Sequence, residues 1–374
     1  MNIVVVSNNY PSHQLPSRGV FVYNLMQKLS KYHDITVISP MKITDFFKKK
    51  TCYGDEACHV VRPIYLSIGN RKFLGMDFEK LSFFFRKKAT QRSFNQLKEE
   101  IDLIYCHFLN NGLAIDEVAD KKKIPMVIAS GESAYQSLGF VKSTRLSLLL
   151  KRTSRIICVS LVNSVYIHGL GYPKSKITLV PNAVDYGVFK PMDKHHCKKK
   201  HGINESDFVV GFIGHFIERK GPNRVIEAIS KIGDPKITFV AVGKGDSLLP
   251  GDFVKELAPM ANSKLPGIIN AFDVFVLPTL SEGHCNVIEE VKACGVPVIS
   301  SRGTTVEQQI DQNSGILIDP LDIHAITGAI RHLRDNPGIR ESMVRHLLSV
   351  RGENTIENRA YKINTVLSEA TLSY

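Results

Sequence analysis

A chain of 374 residues exceeds one ordinary core and suits two domains of about 150–200 residues each. With 43% hydrophobic and 22% charged residues it has a globular composition, and no apolar run reaches the roughly 18 residues of a membrane-spanning helix. The formal charge of +12 is unevenly shared: residues 1–190 carry 27 Lys/Arg against 14 Asp/Glu, the remainder 21 against 22. The first half is therefore expected to meet an anionic partner such as phospholipid, nucleic acid or a phosphate-bearing substrate. Met1-Asn2-Ile3-Val4-Val5-Val6-Ser7 lacks a basic flank and reads as a first strand rather than a signal peptide. Seven scattered cysteines, odd in number and without paired short spacings, predict a reducing compartment, the cytoplasm, and neither disulfides nor a zinc site.

Short β-branched runs alternate with amphipathic stretches along the chain. In the first half, strands are predicted at Ile3–Ser7, Ile35–Ser39, Leu103–His107, Met126–Ser130, Arg155–Val159 and Ile177–Val180. In the second half they are predicted at Phe208–Ile213, Ile237–Val242, Val274–Leu277, Val296–Ser300 and Ile316–Ile318. Nearly all-apolar strands separated by helical segments imply parallel sheets covered on both faces, in two doubly wound α/β domains. Pro181-Asn182, Pro191 and a hydrophilic stretch from Asp193 to His201 mark the boundary. The domains are expected at 1–185 and 186–354, with a last helix at about 355–374 packing back on the first. Helices are predicted at about 322–335, 338–350 and 355–372.

The densest signal is Ser281-Glu282-Gly283-His284-Cys285-Asn286-Val287-Ile288-Glu289-Glu290, followed by Gly295 and Pro297. It places Glu282 and Gly283 in a loop at the carboxyl end of a strand, where open α/β sheets bind ligands. A helix should start near Asn286, a plausible cap, with Glu290 about one turn in. Its first N–H groups can hold phosphate or sugar oxygens, and the two carboxylates can accept hydrogen bonds from a polyol. Acidic residues at a helix start also simply complement its dipole, and Glu289 is read that way.

Glu282 and Glu290 with seven residues between, then Gly295 and Pro297, resemble the signature of glycosyltransferase family 4, retaining enzymes of the GT-B fold. The resemblance implies two Rossmann-like domains facing across a cleft, with Glu290 on the nucleotide ribose and Glu282 beside the donor sugar. Gly211-Phe212-Ile213-Gly214-His215-Phe216-Ile217-Glu218-Arg219-Lys220-Gly221 resembles the family's strand, loop and helix in which an arginine and a lysine five apart clamp the diphosphate. Lys220 falls on the lysine position, and His215 stands where arginine is usual. A neutral imidazole offers one hydrogen bond where guanidinium offers a charged fork, so Arg219, or a protonated His215, is expected to supply the charge. Gly303-Thr304-Thr305-Val306-Glu307, Gly315–Pro320 and Val180–Asp185 resemble further elements of the family. Donor contacts are thereby expected from Gly283, His284, Cys285, Asn286 and Val287.

In the first half, Ser17-Arg18-Gly19-Val20 opens a helix after the first strand, and Gly19 is expected at the donor as a phosphate-approaching turn. His107 ends a strand, where related enzymes place a histidine on the acceptor or donor sugar, so a catalytic or acceptor role is expected. Glu132 in Ser130-Gly131-Glu132-Ser133 is a candidate acceptor-site carboxylate. His195-His196-Cys197 lacks a second ligand pair and is read as solvated chain. Phe46-Phe47-Lys48-Lys49-Lys50 and Phe83-Phe84-Phe85-Arg86-Lys87-Lys88 combine aromatics with cations, as suits an anionic bilayer surface. A helix packing Phe inward beneath a solvated basic face is the plainer reading of each.

The expected function is retaining, metal-independent transfer of a sugar from a nucleotide-sugar, UDP before GDP, to a saccharide acceptor. That acceptor is expected to be lipid-linked, in bacterial polysaccharide synthesis, with the enzyme peripheral on the cytoplasmic membrane face. No cofactor, metal or nucleic acid is expected. A nucleotide-sugar epimerase of the same fold and a non-catalytic sugar- or polyanion-binding protein are the rivals. A nicotinamide oxidoreductase is disfavoured because no Gly-x-Gly-x-x-Gly follows the first strand.

Overall fold

The short apolar runs do become parallel strands, in two separate sheets. A computed structural model describes residues 1–16, 18–48, 57–68, 72–73, 76–132 and 143–372. Ser17, Lys49, Lys50, Cys52 and Ser133 lie outside them. The chain divides into two units: Met1–Asn182 with Ile356–Tyr374, and Ala183–Thr355.

The first unit holds β1 (Asn2–Val6), β2 (Asp34–Ile38), β3 (His59–Val61), β4 (Leu103–His107), β5 (Met126–Ser130), β6 (Arg155–Cys158) and β7 (Ile177–Leu179). They form one sheet in the order β3-β2-β1-β4-β5-β6-β7, every pair parallel. The sequence order reverses on either side of β1, and such a switch point opens a crevice at the strand carboxyl ends. Residues 3–6 of β1 and all five of β4 are buried, so both faces must be covered by helices. Val22, Leu25, Met26 and Leu29 of the Val20–Leu29 helix cover one face together with Ala360, Ile363, Val366 and Leu367 of the final helix, Ile356–Leu372. That last helix packs on the Val20–Leu29 helix and on β4, β5 and β6.

The second unit repeats the plan with β8 (Phe208–Phe216), β9 (Ile237–Gly245), β10 (Val254–Leu257), β11 (Val274–Leu277), β12 (Val298–Ser301) and β13 (Gly315–Ile318). Their order is β10-β9-β8-β11-β12-β13, all parallel. Strands β8 and β9 run on past the end of β11, in register through Gly214–Gly243 and His215–Lys244. Close approach of the two strands requires glycine there: a Cβ on Gly243 would lie 1.8 Å from the Gly214 carbonyl oxygen. The extension carries His215 beyond the end of β11, near Lys220, Lys244 and Arg219.

Candidate active site

Within the second unit, the loop after β11 is fastened before it reaches the helix Asn286–Ala293. Thr279 is fully buried, and its hydroxyl donates to Glu282 Oε1 at 3.1 Å. Arg219 donates to the same oxygen at 3.0 Å and also to the Ser281 carbonyl. Lys220 Nζ forms an ion pair with that oxygen too, both side chains being nearly buried. Three donors thus converge on one carboxylate oxygen, where charge-assisted bonds are the strong ones. Arg224, buried on the helix Pro222–Ile232, holds the loop through a 2.8 Å bond to the Pro278 carbonyl.

His215 is exposed at the end of β8. Partial burial and the nearby cations Lys220, Lys244 and Arg219 hold its imidazole below the ordinary value. The neutral form therefore prevails at pH 7, and Arg219 and Lys220 share the same Glu282 oxygen.

The helix start departs from the expectation in one respect. Asn286 is the first helical residue and Cys285 the cap position, with no side-chain cap bond. The neighbouring segment satisfies the backbone instead. The Cys285 N–H donates to Gln309 Oε1 at 2.8 Å, and Gln309 Nε2 donates back to the Cys285 carbonyl at 3.0 Å and to Glu289 at 2.9 Å. The Cys285 N–H is therefore already taken and cannot be counted among free ligand donors. Its buried thiol, pushed up to about 12 by burial, belongs to the core. Gly283 is buried, His284 is half-buried, and Val287 packs against the core. Glu289 does sit in the first turn, as its dipole reading requires, and additionally anchors Gln309.

Glu290 accepts a 2.8 Å hydrogen bond from Asn262 Nδ2, from the short turn Asn262–Lys264. Burial pushes its carboxyl up to about 7, and the Asn262 bond only partly offsets this. Part of the residue's surface stays accessible, so a ligand can reach it. Thr279, Gln309, Asn262 and Thr305, whose hydroxyl donates to the Glu282 carbonyl at 2.5 Å, were not picked from the sequence as site residues. Among them only Thr305 lies in a segment singled out there. Neutral side chains at unmarked spacings leave no pattern to read.

In the first unit, Gly19 is the cap residue of the Val20–Leu29 helix, at φ +66°. A Cβ there would meet the Asn9 carbonyl oxygen at 2.2 Å, so the loop after β1 itself demands glycine. His107 is buried at the end of β4, its ring 4.7 Å from that of Tyr105, and its Nε2 has no hydrogen-bond partner among the described residues. Burial, aided by the charge of Arg359, drives its imidazole down to about 3. His107 can then accept or donate a hydrogen bond as a neutral ring but cannot be a cationic acid. Phe108 follows at φ 73° and ψ 148°, a positive-φ backbone that non-glycine residues adopt only under constraint.

Glu132 takes a structural part. Its Oε1 accepts from the Leu109 N–H at 2.7 Å, at the start of the helix Leu109–Lys122, and its Oε2 accepts from Ser130 at 2.7 Å. Oε1 thus meets the helix start, while Oε2 is held by the Ser130 side chain at the end of β5. Among the described residues no group of three His, Cys, Asp or Glu is placed to hold a metal ion.

Two doubly wound parallel-sheet units of this kind define the GT-B class. The family profile described as Glycosyltransferase Family 4 matches residues 19–187, and that of Glycosyl transferases group 1 matches residues 193–346. The chain belongs to the group 1 glycosyltransferases, family 4, and is a glycosyltransferase. It is 26% identical over 359 residues to a protein assigned to teichuronic acid biosynthesis, the glycosyltransferase TuaC of Bacillus subtilis, covering 88% of each chain. It is 28% identical over 271 residues to an Escherichia coli UDP-Gal:alpha-D-GlcNAc-diphosphoundecaprenol alpha-1,3-galactosyltransferase, covering 64% of this chain and 68% of that one. Among solved structures, a sucrose-phosphate synthase from Thermosynechococcus elongatus superposes with a TM-score of 0.80 at 16% identity over the whole of both chains. Anabaena HepE in complex with UDP and glucose superposes with a TM-score of 0.75 at 15% identity, over 99% of this chain and 100% of that one. These two likenesses bear on the fold alone.

Proposed function

We propose that this chain moves a sugar, with retention, from a UDP-sugar to a lipid-linked saccharide in bacterial surface-polysaccharide synthesis. The carrying observation is the cluster of Lys220, Arg219 and Thr279 on the Glu282 carboxylate, immediately ahead of the helix that bears Glu290. A departing diphosphate needs positive charge, and Lys220 and Arg219 are two cations fixed in one place to supply it. Glu290 then receives the ribose hydroxyls, and Glu282, with the backbone around Gly283, positions the sugar. The acceptor hydroxyl attacks on the face from which the diphosphate leaves, so no enzyme nucleophile is needed and rate comes from positioning and charge. With that charge provided by side chains, the reaction is read as metal-independent.

UDP is favoured because the undecaprenol-linked relative from Escherichia coli is named for UDP-Gal, and HepE was solved with UDP. The same relative's diphosphoundecaprenol substrate supports a lipid-linked acceptor, and hence a site of action at the cytoplasmic face of the membrane. Thermal-shift titration with UDP, GDP and ADP tests the donor. Saturation at 100 times the dissociation constant should add about 2.7 kcal/mol of stability. A shift with GDP or ADP and none with UDP would overturn the donor assignment. Full transfer activity in both Lys220→Ala and Glu282→Ala would overturn the catalytic one.

A further inference from the structure

One face of the first unit is apolar where it should be polar. On the short helix Ile43–Phe46 and just after it, Ile43, Phe46 and Phe47 are exposed, Phe47 to 78%. That helix packs on the strand Ile64–Tyr65, where Ile64 and then Leu66 are exposed. The strand packs in turn on the helix Phe78–Asn95, and the Ile68 N–H donates to Ser82 of that helix at 3.0 Å. Phe84, 49% exposed, stands on the helix beside them. Between strand and helix lies an open groove of about 550 Å³, lined by Ile64, Leu66, Phe84 and Phe85 and edged by Lys88 and Arg92.

An apolar surface continuous over three elements is unusual on a free protein and marks an interaction site. The charge beside it decides the partner. The helix Phe78–Asn95 carries Lys80, Arg86, Lys87, Lys88 and Arg92 against the single acid Glu79. Lys87 is paired with Glu117, and Arg86 is buried beside Asn111. Lys88 and Arg92, one turn apart on the same stripe as Phe84, have no carboxylate partner among the described residues, and Lys88 lies 5.8 Å over the Phe84 ring. Apolar side chains flanked by cations that no described carboxylate pairs match a lipid headgroup region, where rings and aliphatic chains enter the acyl boundary and cations meet phosphate. A groove for a second copy or for an apolar peptide has no need of two uncompensated cations.

We propose that this surface, from Ile43 through the groove to Arg92, docks the enzyme on an anionic phospholipid bilayer. Its use rests on the proposed lipid-linked acceptor, but the docking is read from the surface alone. The test is cosedimentation of the full chain with vesicles of phosphatidylcholine alone and with about 30% phosphatidylglycerol. Binding is expected to the anionic vesicles only and to weaken with salt. Lys88→Ala with Arg92→Ala should lower it about thirty-fold, at about five-fold per surface cation. Leu66→Ser with Phe84→Ser should lower it at least ten-fold while the melting temperature and the UDP-induced thermal shift stay at wild-type values.

Equal binding to both vesicle types, or wild-type binding by either double variant, would overturn the proposal. So would concentration-dependent dimerisation abolished by the apolar variant without vesicle binding. Binding to heparin and to anionic vesicles that both survive the apolar variant would show a general polyanion patch instead. Vesicle binding that persists in a protein showing no UDP shift would leave this surface standing and bring down the donor reading.

Discussion

Lys220 is bonded to Glu282, so the cation proposed to meet a diphosphate has an anionic partner within the protein. The pair is nearly buried and shared with Arg219 and Thr279, which fixes the lysine in place at the cost of competing with the ligand. Removing Lys220 leaves the Glu282 carboxylate two donors, so folding should suffer little. Lys220→Ala is expected to keep its melting temperature within a few degrees while kcat/KM for sugar transfer falls about 10²–10³-fold, the usual loss for one charge-stabilising donor. Glu282→Gln should instead release Lys220 and tighten binding of UDP while lowering transfer. Isothermal titration with UDP, set beside initial rates, separates the two.

Glu290 gives the protein a pH dependence of definite sign. Its folded carboxyl is raised to about 7, above the ordinary value of 4.5, so the folded state holds a proton that the unfolded state has released between those values. Stability is therefore greatest on this account below about pH 4.5 and declines as pH rises through about 7, after which it levels. Glu290→Gln should remove the decline, leaving the variant more stable than wild type at pH 8. Nucleotide binding should run the other way. Ribose hydroxyls donate best to the ionised carboxylate, so UDP should bind more tightly at pH 8 than at pH 6 and release protons as it binds. Calorimetry in buffers of different ionisation enthalpy reads that release directly.

Both sheets were visible in the sequence because buried parallel strands are short, apolar and β-branched. Leu103–His107, Met126–Ser130 and Val274–Leu277 begin and end where expected. The strands missed, His59–Val61 and Val254–Leu257, lie at sheet edges, where residues such as His59, Lys255 and Glu256 dilute the apolar signal. Strand β8 was read only to Ile213, since the glycines that let it run on beside β9 look like a turn. In the site, the charged positions Lys220, Glu282 and Glu290 carried the motif. The neutral partners, Thr279 on Glu282, Asn262 on Glu290 and Gln309 on Cys285 and Glu289 between them, come together only through the fold.

Gln309 is expected to matter more for stability than for charge. It is buried, and its side-chain amide closes a two-way link with the Cys285 backbone while also reaching Glu289. Gln309→Ala leaves the buried Cys285 N–H without its partner, while the Cys285 carbonyl keeps the Ile288 N–H, at a cost of about 1–3 kcal/mol. Urea unfolding should show a fall of that order. Because the same link fixes where the Asn286–Ala293 helix starts, UDP affinity should fall with it. Gln309→Glu, which keeps an acceptor for the Cys285 N–H but repels Glu289, should fall between the two.

His107 should stay neutral across the working range. Its imidazole is buried and driven down to about 3, so any limb of the pH–rate profile between pH 5 and 8 must come from another group, and Glu290 at about 7 is the natural source. Two-dimensional NMR of the imidazole nitrogens should show no titration of His107 between pH 5 and 8. A depressed histidine is also a stability term. It favours the folded state above pH 6.5 and, as pH falls below 6.5, the unfolded chain gains a proton that the folded one refuses. His107→Gln keeps a neutral polar group of similar reach and should lose this acid sensitivity. If the variant also loses transfer while binding UDP normally, the neutral ring acts on the sugar or acceptor rather than in packing alone.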